Sequence, residues 1–141
     1  MELLVVVLIM GILTMASVAG YRGYVQRANR VDATGALLRI SAGQERFFLQ
    51  NNRYATTAEE LADPPPAGLG ITGSERGYYE LGVAAADGGA ATGYTATATA
   101  TSDGPQRDDE CQTFTIDQGG FRGAGDADGN TGAEVTDRCW R

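Results

Sequence analysis

The chain has 141 residues, a length that allows one compact domain beside a protruding element. It contains no lysine and no histidine, which excludes Schiff-base chemistry through a lysine and general-base catalysis by a histidine. Residues 1–53 hold six arginines against three acids, a net charge of +3, whereas residues 54–141 hold five against fifteen, a net charge of −10. Because nucleic-acid affinity rests largely on neutralised phosphates, this acidic body predicts no direct nucleic-acid binding.

The first nineteen residues form an apolar run with a single charge, Glu2. An isolated carboxylate in hydrocarbon or in a dry protein core is strongly disfavoured, so Glu2 predicts an electrostatic partner in another subunit. The uninterrupted part, Leu3–Ala19, has 17 residues, the low end of what a helix needs to cross a hydrocarbon core about 30 Å thick. In this chain the basic residues follow the apolar run, at Arg22, Arg27 and Arg30. A cleaved signal peptide carries its basic residues before the apolar stretch, so we expect this run to be retained.

The helical pattern continues past the apolar run and predicts one helix over about residues 2–52, roughly 75 Å long. Asn51 and Asn52 are residue types that suit a helix C-terminus. Apolar residues in the second half recur at helical spacing, and we expect this stripe to pack against the rest of the domain. The stripe consists of Tyr24, Ala28, Val31, Leu38, Ala42 and Leu49.

A short second helix is predicted after the long one. Thr57 and Glu60 have the spacing of a capping box, in which each side chain accepts a hydrogen bond from the other residue's backbone N–H. The proline run 64–66 cannot continue a helix and should stop this one.

Alternating apolar and polar residues then predict strands. In Tyr94–Thr101 alanines alternate with threonines, and we expect the alanines to pack on the long helix rather than the threonines to form a glycosylated patch. The predicted fold class is α+β, a long helix packed in its second half against a three- to four-stranded antiparallel sheet. The strand segments are 78–83, 94–101 and 113–116, with a short fourth strand from Phe121 and turns at 87–89 and 117–120.

The N-terminal residues closely resemble the first helix of type IV pilins over residues 2–30. The similar segments are Glu2–Val7, Gly11–Leu13 and Tyr21–Val25. Later segments resemble the C-terminal domain of small bacterial pilins that end in a Cys-Trp motif. These are Asn52–Tyr54, Glu60–Leu61, Gly77–Tyr79, Cys111–Asp117 and Cys139–Trp140.

The resemblance implies the pilin fold and a structural subunit of a bacterial type IV pilus, with no catalytic residue, cofactor or metal. Such a subunit waits in the inner membrane as a single-pass protein and then joins an extracellular filament that serves adhesion, motility or DNA uptake. Residues 1–27 would form the membrane-spanning and filament-core half of the helix, and residues 28–141 the globular domain. The partners would be identical subunits in a helical filament, other pilins and the assembly machinery.

In that family Glu2 would be the assembly residue, which meets the methylated terminal amine of a neighbouring subunit. Pilins usually begin with a methylated Phe a few residues before this glutamate, whereas this sequence starts at Met1, so we expect it to be truncated or its start misassigned. The family also tends to carry a proline where this chain has Ala19, and that proline favours a melted stretch in filaments. Gly11 and the small or β-branched residues after it remain the sequence features that weaken the helix here.

Cys111 and Cys139 are the only cysteines, and they are the pair expected of a small exported domain that closes a loop under oxidising conditions. The alternative is two independent buried thiols. Arginines directly after the apolar run would by themselves place the rest of the chain in the cytoplasm. We give the cysteine pair more weight than the arginines and expect the body to be exported.

Two other functional classes stay open. A pseudopilin of a type II secretion system shares the helix but typically relies on a calcium loop. The third class, a single-pass enzyme or periplasmic binding module, is disfavoured because the chain lacks a nucleophile motif. A loop with alternating oxygen ligands could suit Ca²⁺, but its glycine is misplaced for an EF-hand, and a polar surface turn is the favoured interpretation. The loop contains Asp126, Asp128, Asn130 and Glu134.

Overall fold

The computed structural model describes residues 2–141, except for the side chains of Glu2 and of residues 16–19. It has the predicted α+β architecture, a long helix beside a four-stranded antiparallel sheet with strand order β1-β2-β3-β4. The elements are α1 (Glu2–Asn51), α2 (Ala58–Ala62), β1 (Tyr79–Ala85), β2 (Tyr94–Ala100), β3 (Cys111–Asp117), β4 (Arg122–Asp126) and α3 (Ala133–Cys139).

The ends of the first two helices follow the local sequence. Asn52 takes a left-handed conformation with φ of 53°, and its N–H donates to the Phe48 carbonyl, which ends α1 where predicted. At α2 the capping box forms only in part. The Thr57 hydroxyl accepts from the Glu60 N–H, but the Glu60 carboxylate accepts from the N–H of Thr56, at 2.8 Å, one residue before the predicted partner. Arg53 holds that carboxylate at 2.5 Å, which explains the shifted contact.

The sheet presents an alanine face to the helix, as predicted. Ala96 lies opposite Ile116 and Ala98 opposite Phe114 in the adjacent strand, and all four side chains are buried. Thr99 on the other face is exposed. Small side chains on β2 allow α1 to lie close to the sheet, and each predicted strand is present.

The predicted inward stripe of α1 was wrong. Four of its members, Tyr24, Val31, Leu38 and Leu49, are 50–83% exposed, and the opposite side of the helix faces the sheet. The second half of α1 carries apolar residues on both sides, so periodicity alone could not choose between them. The buried side consists of Ala33, Ala36, Leu37, Ile40, Gln44 and Phe47.

Gln44 explains why the buried side was missed. A polar residue interrupts the apolar pattern there, yet Gln44 is fully buried and both its amide nitrogen and its amide oxygen are hydrogen-bonded. Its Nε2 donates to the Ala55 carbonyl at 2.7 Å, and its Oε1 accepts from the Ala55 N–H at 2.8 Å. The pair holds the chain after α1 against the helix.

The C-terminal residues before the final cysteine form the short helix α3, which the sequence did not predict. Glu134 in its first turn and Arg138 in its last turn complement the helix dipole. The Thr136 hydroxyl accepts from the N–H of Ala124 at 3.1 Å, so α3 covers part of the outer edge of β4. Seven residues give too little periodicity for sequence analysis to detect such a helix.

Candidate functional site

The first half of α1 is an uncovered apolar surface. Every large apolar side chain described from Leu3 to Met15 is 50–82% exposed. The one polar side chain described in this stretch, that of Thr14, donates its hydroxyl hydrogen to the Met10 carbonyl at 2.6 Å, so this donor needs no partner outside the helix. Among the described residues, α1 is the helix long and apolar enough to cross a membrane.

Helix α1 runs without a break from Glu2 to Asn51, including the stretch after Gly11 where melting was considered. A Cβ added at Gly11 would meet no atom within 4 Å, so this glycine serves no close contact inside the subunit. The predicted assembly residue is Glu2, whose side chain lies outside the described residues. The same holds for the Ala19 side chain and for Met1.

The exposed stripe on the second half of α1 extends this apolar surface. Tyr24 and Val31 lie one turn and three turns beyond the apolar run, and both are more than 60% exposed. Leu38 and Leu49 continue the row along the side of the helix that faces away from the sheet. The assembly surface, defined here as residues 3–15 with this stripe, therefore runs along most of α1.

A buried ion pair fastens α1 to the body where the two halves of the helix meet. The Arg30 guanidinium binds the Asp109 carboxylate in bidentate fashion, with nitrogen–oxygen distances of 2.9 and 2.6 Å. The two side chains are only 5% and 2% exposed. Burial opposes the charge on Arg30, but hydrogen bonds and charges from Asp109 and Glu110 outweigh it and raise the pKa of Arg30.

Gln106 extends this contact into a network. Its Nε2 lies within 3.1 Å of three acceptors, the Gln26 carbonyl, the Tyr79 hydroxyl and an Asp109 oxygen. Burial raises the pKa of Tyr79 to about 12. Asp32 on α1 accepts from the backbone N–H of Arg76 at 3.0 Å, which ties the helix to the segment before β1. We call Arg30, Asp109 and Gln106 the clasp.

Sequence analysis missed the clasp because Arg30 and Asp109 are 79 residues apart. The available signal was local: charged and amide residues, Asn29, Arg30 and Asp32, follow one another at a point where the helix must pass from lipid to protein. All three are buried. Residues of these types are mostly exposed in proteins, so the run by itself favours a solvated helix face, and this signal was weak.

The C-terminal residues are joined to the sheet. Cys111 at the start of β3 and Cys139 at the end of α3 form a disulfide with a Cα–Cα distance of 5.8 Å. The indole N–H of Trp140 donates to the Gly123 carbonyl at 2.8 Å, and its ring packs edge-on against Phe114. The Arg122 guanidinium lies over the same indole ring, 4.9 Å from its centre. These contacts close the end of the domain.

The acidic loop lies at the surface directly after β4. Both carboxylate oxygens of Asp126 are used within the loop, because they accept from the N–H groups of Asp128 and Asn130 and from the Asn130 amide. These hydrogen bonds, those of Asn130 first, lower the pKa of Asp126. The guanidinium of Arg138 lies 3.8 Å away and adds a positive charge where a cation would have to bind.

Comparison with known proteins identifies relatives of this chain. The sequence model of one family, described as the type IV minor pilin ComP, DNA uptake sequence receptor, matches residues 19–115. A solved structure of a type IV pilin from Shewanella oneidensis is similar, with 23% sequence identity and a TM-score of 0.48. That similarity covers 69% of this chain and 89% of the other. No protein with a curated description matches.

Proposed function

We propose that this chain, which belongs to the family of the type IV minor pilin ComP and is therefore a type IV pilus subunit, enters the filament as a minor component through the assembly surface of α1. Before assembly it is anchored in the membrane by the apolar N-terminal helix, and afterwards it is part of the extracellular pilus. The family match favours the pilin over the pseudopilin. Its mechanism is assembly, and we propose no catalytic role.

The observation that carries this proposal is the exposure of the first half of α1. Leu3 and Met15 are each 82% exposed, and the large apolar side chains between them are at least half exposed. A soluble monomer does not tolerate an apolar surface of this size, so it must lie in lipid or against other helices. Because the contact joins different patches of neighbouring subunits, it does not close on itself and produces an open helical polymer.

We propose that Glu2 sets the register of this polymer. A carboxylate among apolar helices requires a positive partner, and the terminal amine of a neighbouring subunit can supply one. Glu2→Ala should leave membrane insertion intact and stop incorporation into pili. Glu59→Ala, at an exposed position on α2, is the matched control and should incorporate normally. Normal pilus content of the Glu2→Ala protein would contradict this role.

The neighbours in the filament are the next part of the proposal. The sequence predicted a filament of identical subunits, whereas the family description, a minor pilin, supports placement among other pilins. Both arrangements use the same helix surface. Immunogold labelling of pili with antibody to the acidic body distinguishes them, because a minor subunit gives sparse label and a homopolymer gives continuous label.

A second candidate function is contact with DNA, favoured by the family description of a DNA uptake sequence receptor. The net charge of −10 over residues 54–141 opposes broad contact with phosphates. A local contact could use Arg122 and Arg141, which flank the groove between β4 and α3 beside Trp140. Mobility shifts of duplex DNA by the full chain in detergent, between about 50 and 200 mM salt, test this role.

Direct DNA contact through this groove predicts binding that weakens with salt and with the double change Arg122→Gln and Arg141→Gln. Arg39→Gln with Arg46→Gln, at two exposed positions on α1, provides the control with an equal loss of positive charge. Absence of binding at the lowest salt would mean that the chain acts in the pilus without contacting DNA itself.

A further inference from the structure

A cleft of about 490 Å³ lies where α1 leaves the body, between the helix and the loop that joins β2 to β3. We call it the junction cleft. Gln106 anchors the loop by donating to the Gln26 carbonyl, so the floor of the cleft is held by the clasp. The polar residues that line it are Arg22, Gln26 and Asn29 from α1 and Asp103, Arg107 and Asp108 from the loop.

The junction cleft lies at the depth of lipid headgroups while the chain is anchored in the membrane. Residues 3–20 of α1 rise by about 27 Å at 1.5 Å per residue, close to the roughly 30 Å of a hydrocarbon core. Tyr21 and Tyr24 follow and are 69% and 67% exposed, as expected of tyrosines at a membrane–water interface. The tip of the loop therefore reaches the membrane surface.

The charges of the cleft are of both signs. Arg22 and Arg107 offer guanidinium groups, which bind phosphate well, whereas Asp103 and Asp108 offer carboxylates that can accept from an ammonium group. Arg107 lies 3.3 Å from Asp108 and is 62% exposed, so it is free to turn toward a ligand. The arginines stand on the exported side of the membrane, against the usual bias of basic residues toward the cytoplasm, which calls for a specific role.

We infer that the junction cleft binds the headgroup of a zwitterionic phospholipid with a primary ammonium, such as phosphatidylethanolamine, while the subunit waits in the membrane. Arg22 and Arg107 bind the phosphate, and Asp103 and Asp108 accept from the ammonium. This inference rests on the membrane-anchored stage of the pilin and extends it. Binding would hold the body at a defined height above the bilayer, with residues 3–15 of the assembly surface buried in lipid until the subunit is extracted.

The test uses the full chain in vesicles and compares phosphatidylethanolamine with phosphatidylcholine, which has the same phosphate but a trimethylated ammonium that cannot donate hydrogen bonds. Lipid retained by the protein is measured by native mass spectrometry. We expect about fivefold preferential retention of phosphatidylethanolamine, the size of effect expected from exposed charge pairs. We also expect slower amide exchange over residues 103–108 in vesicles that contain it.

The variants separate the two halves of the headgroup. Asp103→Asn with Asp108→Asn should bring the retention ratio close to one, whereas Arg22→Gln with Arg107→Gln should lower retention of both lipids. Arg46→Gln, in the second half of α1, is the control and should change neither. Equal retention of the two lipids by the unaltered chain, or stronger retention of anionic phosphatidylglycerol, would overturn the inference. Flotation with vesicles reports membrane anchoring separately, so a failure of the pilin function would be recognised as such.

Discussion

The two halves of α1 belong to the same helix but differ in their contacts with the rest of the molecule. In the first half, every large apolar side chain described from Leu3 to Met15 is exposed, whereas the second half buries one side against the sheet and leaves an apolar stripe on the other. A helix hydrophobic all round needs lipid or other helices around it. Contacts within the subunit therefore stabilise the second half of the helix, whereas the first half needs lipid or other helices around it.

The clasp marks the boundary between these halves. A buried ion pair is weak evidence for stability, because the cost of removing two charges from water can exceed their attraction. Arg30 and Asp109 instead give a single position at which the helix can dock, since a shift by one turn would leave both charges buried without a partner. The clasp therefore fixes how the body is set on the part of the helix that enters the filament.

Removal of the first half of α1 should have the largest effect on the protein. Deleting residues before Ala28 should give a soluble monomer with an intact body, because the core residues of α1 begin at Asn29. Sedimentation, electron microscopy and vesicle flotation should show complete loss of polymerisation and membrane binding. If the truncated protein still polymerised, the edges of the sheet rather than the helix would be responsible.

Breaking the clasp should produce the largest loss of stability in this body. Arg30→Met leaves the Asp109 carboxylate, 2% exposed, without its partner, which should cost about 3–5 kcal/mol in the free energy of unfolding. Denaturant unfolding of the truncated protein measures it. Arg30→Met combined with Asp109→Leu should recover most of the loss, because no unpaired charge remains. A double variant as unstable as the single one would show that packing, not charge, dominates.

Opening the disulfide tests how much this bond stabilises the body when the first half of α1 is absent. Cys111 and Cys139 are 28 residues apart in sequence, for which loop-closure entropy gives roughly 3–4 kcal/mol. Reduction, or Cys111→Ser with Cys139→Ser, should therefore lower the melting temperature of the truncated protein. Two free thiols in subunits taken from pili, detected by mass spectrometry, would refute the bond.

Ionisation of Tyr79, which contacts the clasp, makes the stability of the body depend on pH. Burial raises its pKa to about 12, whereas an unfolded chain loses the same proton near pH 10. The contribution of this pKa difference to the free energy of unfolding is complete below pH 10. It is lost as the pH rises from 10 to 12, because only the unfolded state releases the Tyr79 proton in that range. The loss amounts to roughly 2–3 kcal/mol. Tyr79→Phe should flatten this part of the stability curve relative to Tyr78→Phe, at the neighbouring half-buried position.

The smallest expected effect on stability comes from the exposed stripe on the second half of α1. Leu38 is 50% exposed, and Leu38→Gln should change the free energy of unfolding by less than about 0.5 kcal/mol while lowering pilus incorporation. Leu37, fully buried beside it, provides the contrast, since Leu37→Ala should cost about 2–5 kcal/mol. Unchanged incorporation of Leu38→Gln would confine the assembly surface to the first half of the helix.

Local patterns were sufficient for most of the fold. The length of α1 and its end at Asn51, the alanine face of β2 and the stop of α2 before the prolines each depend on residues close in sequence. Periodicity failed at the second half of α1 because both sides are apolar and because Gln44 on the buried side looks like a surface residue. It also failed at α3, which spans only seven residues.

The sequence likewise predicted only one part of the candidate site. Residues 3–15 of the assembly surface were evident from the sequence, because an apolar run needs no partner to be recognised. The clasp was not, because Arg30 and Asp109 are brought together only when the loop after β2 folds back on the helix.

The sequence by itself determined that this protein has a long helix, an apolar first half and a small exported α+β body. These properties are set by composition and by contacts between near neighbours in the chain. The tertiary structure decided which side of the helix is buried, where the body is fastened and which apolar residues remain for other subunits. Those choices depend on pairings between residues far apart in sequence, such as Gln44 with Ala55 and Arg30 with Asp109, whose energies exist only in the packed state.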